Sequence, residues 1–93
     1  MEEATLQLNV ERVYTFDGDG TLKAFADVVV NEAVLIKGFR VIHGKNGLFV
    51  GMPQERSKQG KWFDTVTPLT KTAHAQFTGA VMEAYDAQVN GKR

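Results

Sequence analysis

Two carboxylates stand two residues apart in Val13-Tyr14-Thr15-Phe16-Asp17-Gly18-Asp19-Gly20-Thr21-Leu22. An apolar strand running into Asp-x-Asp-Gly-Thr can hold Mg²⁺ between its carboxylates, with Asp17 as a nucleophile toward a phosphate ester and Asp19 as general acid. That chemistry also needs further metal carboxylates and a phosphate-clamping lysine late in the chain. After Asp64 only Glu83 and Asp86 supply carboxylates. A helix would have to follow the motif, yet Leu22 to Val30 alternates like a strand. The segment therefore reads as an acidic, glycine-rich hairpin turn, in which Asp-Gly tolerates the positive φ of a tight turn. A calcium loop fails as well, because no bidentate glutamate closes the spacing. His43 and His74 are the only imidazoles. Their separation and the lack of cysteine argue against a metal or nucleophilic site. The expectation is a protein without catalysis, metal or cofactor.

The cations suggest other chemistry. Residues 1–36 carry seven acidic and two basic side chains, and residues 37–71 carry seven basic and two acidic ones. Such asymmetry in a chain of zero net charge points to a side that faces a polyanion. The alternative is that the two segments neutralise one another across the fold. Arg56, Lys58 and Lys61 share one short polar stretch, and Lys45 and Lys71 are the cations that could join them. Trp62, Phe63, Phe16 and Phe25 could offer faces on which bases stack. The competing assignment puts Trp62 and one phenylalanine in the core or in a dimer interface.

The elements that must position these residues follow from periodicity. Leu6, Leu8 and Val10 alternate with polar residues, and the phase shifts at Glu11-Arg12, where a bulge is expected. A second strand spans Leu22 to Val30, and Asn31-Glu32 turns the chain. Ala33 to His43 is a longer apolar strand, in which Gly38 allows a bend or a close backbone approach. Gly44-Lys45-Asn46-Gly47 turns again, Leu48 to Met52 forms a fourth strand, and Pro53 ends its ladder. Residues 54–61 read as a polar, flexible loop, followed by an extended piece from Trp62 to Val66. Thr70 is the expected N-cap of a helix whose stripe is Ala73, Phe77, Ala80, Val81, Ala84 and Tyr85.

Strands followed by one helix give an α+β class: an antiparallel sheet of four to five strands with a C-terminal α-helix. The 93 residues suffice for one domain, with a core from about 5 to 87. A domain of this size buries a modest core, so dimerisation would add useful burial. The acidic start lacks a signal peptide's basic and apolar regions. No apolar run approaches the roughly 18 residues of a membrane span, so a soluble, cytoplasmic protein is expected.

The segment Arg40-Val41-Ile42-His43-Gly44-Lys45-Asn46-Gly47-Leu48-Phe49-Val50-Gly51-Met52-Pro53 resembles the signature of the SpoVG family. That signature is an apolar strand, a Gly-x-Asn-Gly turn, then Leu-Phe-Val-small-Met-Pro. The likeness runs from about Leu6 to Tyr85, more loosely through Arg56, Gly60, Trp62, Asp64, Pro68 and the helical Val81-x-x-Ala84-Tyr85. It implies a small homodimer with an antiparallel sheet and a C-terminal helix. It also implies a role in bacterial septation and sporulation, and binding of DNA or RNA. The family's basic cluster after Met-Pro, usually Ser-Lys-Arg, reads Gln54-Glu55-Arg56 here, and Phe63 stands where a basic residue is usual. Lys58 and Lys61 are extra cations. Phosphate contacts from Arg56, Lys58 and Lys61, joined by Lys45 and Lys71, would give weak sequence preference and strong salt dependence. An adaptor that meets septation proteins without nucleic acid is the other functional class.

Overall fold

The computed structural model describes residues 6–16, 18 and 20–91. Thr5, Asp17 and Asp19, which figure in the expectations above, lie outside them. β1 (Leu8–Thr15), β2 (Leu22–Val30), β3 (Val34–Gly44) and β4 (Gly47–Gly51) form an antiparallel sheet in the order β1-β2-β3-β4. Three register shifts set the phase of its residues; in one, Leu22 faces Ile42 and Ala24 faces Val41, so Lys23 is the extra residue and Leu22 joins Ile42 on the outer face. Val10 faces Val28 and Arg12 faces Asp27, so Glu11 is the extra residue. Val13 thereby returns to the face that holds Leu8 and Val10. In β3, Lys37 faces Asp27 and Phe39 faces Ala26, which makes Gly38 the extra residue, at φ 100°. Glycine reaches that φ without steric cost, and the bulge sets both Ile36 and Phe39 on the core face.

The turn between β2 and β3 has left-handed backbone at Asn31 (φ 54°) and Glu32 (φ 56°), closed by Ala33 N–H donating to the Val30 carbonyl at 2.9 Å. This is the hairpin turn whose twist matches the strands, and it favours Asn followed by Gly. Asn31 is fixed further, because its side-chain oxygen accepts from the Gln7 N–H at 2.8 Å. Glu32 has no such compensation in its backbone. Glu32→Gly is expected to raise stability by roughly 0.5 kcal/mol, as relief of left-handed strain outweighs the added freedom of the unfolded chain. A higher urea midpoint at unchanged slope checks it.

The core lies on one face of the sheet. Ala24, Ala26 and Val28 of β2, with Phe39 and Val41 of β3, are fully buried. The helix α1 (Lys71–Asn90) covers them with Phe77 and Val81. The two alanines leave room for a stacked pair of rings, Phe39 and Phe77, with centroids 5.3 Å apart. Ala73, Ala80, Ala84 and Tyr85 of the expected stripe are half-buried. Met82 packs beside the core with Tyr85. Thr70 caps the helix, its hydroxyl accepting from the Ala73 N–H at 3.0 Å. Thr70→Ala should cost about 1 kcal/mol, with Thr70→Ser close to neutral; thermal melts of the two variants separate the lost cap from a packing change.

The polar segment after Pro53 departs from expectation. Gln54–Arg56 is a strand, β5, paired antiparallel with β6 (Trp62–Asp64) in a second sheet of two strands. The described residues thus form a sheet of four strands and another of two, rather than one sheet with a loose loop beside it. Alternation cannot reveal β5, because Gln54, Glu55 and Arg56 bury no apolar face. Its ladder is set by what pairs with it.

Candidate nucleic-acid interface

The β5–β6 hairpin is held at both ends. At its base, the Pro53 carbonyl accepts from the Thr65 N–H at 2.9 Å and from the Thr65 hydroxyl at 3.2 Å. The Gln54 amide donates to Asp64 at 2.8 Å. At its tip, the Ser57 N–H donates to the Lys61 carbonyl at 2.7 Å, and the Ser57 hydroxyl accepts from the Lys61 N–H at 3.1 Å. The tip is an ordered turn, and Arg56, Lys58 and Lys61 are all exposed on it. Arg56 pairs across the strands with Trp62, and Glu55 with Phe63. Alternation puts Glu55 on the opposite face of the strand from Arg56. Among the described residues, no carboxylate forms an ion pair with Arg56, Lys58, Lys61, Lys45 or Lys71.

The five cations fall into two groups. Lys45 occupies the β3–β4 turn, at the far end of β4 from the hairpin base, roughly 14 Å of strand away. Lys71 opens α1. Lys45 lies three residues before Leu48, and Lys71 three before His74; Leu48 and His74 line one surface groove with Phe49, Ala75 and Met82. The structure gathers Arg56, Lys58 and Lys61 on the hairpin and leaves Lys45 and Lys71 beside α1 and β4.

Trp62 is not a core residue: it is 64% exposed. Phe63 and Phe16 are also exposed, and Phe25 is half-buried with its ring edge-on to Phe16 at 5.5 Å. A side chain that projects from a two-stranded ribbon has no second layer to bury it. Trp62 instead stands at the rim of a cavity of about 540 Å³, lined also by Leu22, Phe25, Gly38, Arg40 and Gln54. This cavity opens on the sheet face away from α1. Sequence reasoning missed Arg40. Its half-buried guanidinium donates from Nη2 to the Met52 carbonyl at 3.1 Å, while its buried Nε finds no partner. An unmet buried donor costs about 1–3 kcal/mol. Gly51 makes room for it, since a Cβ there would overlap the guanidinium. The available signal was one charge amid apolar residues of a long strand, opposite a glycine.

The same sheet face carries other charges. Asp27 stands between Arg12 of β1 and Lys37 of β3 in the ladder. Arg12 donates to the Tyr14 hydroxyl at 3.2 Å. That bond raises its pKa further above the usual guanidinium value. Acid and base are neighbours in the ladder here, whereas no carboxylate faces Arg56 across the hairpin, where its partner is Trp62.

Residues 7–87 match the family model SpoVG. A relative from Archaeoglobus fulgidus, named "Putative septation protein SpoVG", is 36% identical over 77 residues, which cover 83% of this chain and 91% of its own. Relatives of the same name from Desulforudis audaxviator and Staphylococcus aureus (strain JH9) are each 36% identical, over 67 and 75 residues. They cover 72% and 81% of this chain, and 76% and 75% of their own. The signature from Arg40 to Pro53, which builds β3, β4 and the entry to the hairpin, lies inside the matched region. The chain belongs to the SpoVG family.

Proposed function

We propose that this protein is a non-catalytic, septation-related regulator that binds DNA or RNA through the β5–β6 hairpin and acts as a homodimer in the cytoplasm. The observation that carries this reading is the set of three exposed cations, Arg56, Lys58 and Lys61, on one ordered turn with no described carboxylate paired to them. Such a turn follows a phosphate backbone by charge and carries no groove-reading helix, so binding is broad in sequence and sensitive to salt. The septation role rests on the names of the relatives. The absence of catalysis rests on the strand β2, which stands where phosphatase chemistry around Asp17 would call for a helix. Among the described residues, no helix is long and apolar enough to cross a membrane.

The homodimer is supported by unmet surface. β4 is an edge strand whose Leu48 and Phe49 are 44% and 50% exposed. Apolar side chains on an open edge invite a further strand. The same edge supports a second reading, an adaptor that pairs with a septation protein and no nucleic acid. Fluorescence anisotropy of labelled mixed-sequence DNA and RNA, titrated at two ionic strengths, separates the two. Binding that weakens steeply with salt supports the first reading, and no binding at low salt leaves the adaptor.

A further inference from the structure

We infer that the cavity between the hairpin and the outer face of the sheet takes one unpaired base, so that the preferred ligand is a single strand with a guanine stacked on Trp62. This deepens the proposed nucleic-acid reading and rests on it. The cavity, about 540 Å³, is within the size range of small-ligand sites. Its walls are aromatic and apolar (Trp62, Phe25 and Leu22), and its polar groups are two, Arg40 and Gln54. Arg40 gives one Nη2 N–H to the Met52 carbonyl and its Nε is closed off from solvent, while Nη1 and the second Nη2 N–H bond to no described residue. Its guanidinium therefore has donors left over. Gln54 uses an amide N–H on Asp64 and keeps its Oε1 as an acceptor. A planar ring with acceptors on one edge and a donor beside them matches this set, and guanine offers O6 and N7 to arginine.

The hairpin ties this cavity to the phosphate-binding cations. Trp62 is the cross-strand partner of Arg56. A backbone that runs along Arg56, Lys58 and Lys61 passes the rim where Trp62 stands. A base in a duplex is paired and stacked, whereas a base of a single strand swings out onto an aromatic face.

Trp62 is the only tryptophan of the chain, so its emission reports the cavity directly. The experiment titrates the full chain with guanine-containing and thymine-only single strands and with duplex DNA, reading labelled-strand anisotropy and tryptophan emission together. Guanine-containing single strands should quench Trp62 at the concentration where anisotropy saturates, and bind about tenfold tighter than duplex. Trp62→Ala should weaken single-strand binding by about tenfold, well beyond its effect on duplex binding, while Trp62→Phe retains most of it. Arg40→Met, which removes the donors and keeps the stem, should erase the preference for guanine over thymine. Circular dichroism of each variant confirms that it is folded. Salt-dependent anisotropy without quenching, and with equal affinity for duplex, overturns the cavity and leaves the hairpin reading standing. No anisotropy change with any nucleic acid overturns both. An emission change that follows protein concentration alone assigns the cavity to a second copy, and overturns the base.

Discussion

Phe39→Ala is expected to remove most of the stability of the chain. Phe39 is fully buried and stacks on Phe77, which joins the middle of the sheet to the only described helix. Truncating a buried phenylalanine costs about 3–5 kcal/mol, through lost transfer energy and the cavity left behind. Domains of this size sit toward the low end of a total of about 5–15 kcal/mol. The neighbours Ala24 and Ala26 are too short to fill the space, and Val81 and Val41 are held by the helix and by β3. Urea melts followed by circular dichroism should show a transition at very low denaturant or none at all. Phe39→Leu, which keeps most of the volume, should cost much less. A Phe39→Ala midpoint equal to the wild type's would mean that the sheet and helix are not held together at this pair.

The second large effect is on binding. Replacing Arg56, Lys58 and Lys61 together by alanine should weaken nucleic-acid binding about a hundredfold near physiological salt. Each phosphate contact releases a counterion, so the slope of log affinity against log salt should flatten by about two units for single strands and nearly three for duplex. The loss should be similar for unrelated sequences, because phosphates carry no sequence information. All three side chains are exposed and bond through the backbone at most, so stability should change by less than about 0.5 kcal/mol each. Lys37→Ala is the control: Lys37 stands beside Asp27 in the ladder, and its loss should leave the slope unchanged. An unaltered slope in the triple variant would place the phosphate contacts elsewhere, with Lys45 and Lys71 next to be tested.

Much of this frame is readable from residue order, because its causes are local. The slip at Glu11-Arg12 is visible as a break in alternation, and the structure has a bulge between Val10 and Arg12. Gly38, expected to allow a bend or a close backbone approach, is the extra residue of a bulge in β3, where φ is 100°. Thr70 ahead of an apolar stripe gives the cap, and Asn31-Glu32 gives the turn. Each involves residues a few positions apart, and each follows from sterics or from a single hydrogen bond. Pairing between distant segments is different. The strand Gln54–Arg56 has no apolar period, since neither of its faces is buried deeply, and it becomes a strand only through its partner Trp62–Asp64.

Composition and order alone therefore determined the class of the fold, the four main strands, the helix and its cap, and the identity of the cations. Periodicity and charge are properties of the chain itself. Which cations stand together was decided by tertiary structure, which put three on one hairpin and two beside the helix. The exposure of Trp62 was decided there too, as was the cavity that it shares with Leu22, Phe25, Gly38, Arg40 and Gln54. Those six residues span 41 positions of sequence. Only the twist and pairing of two sheets bring them within reach of one another, and no spacing rule encodes that distance.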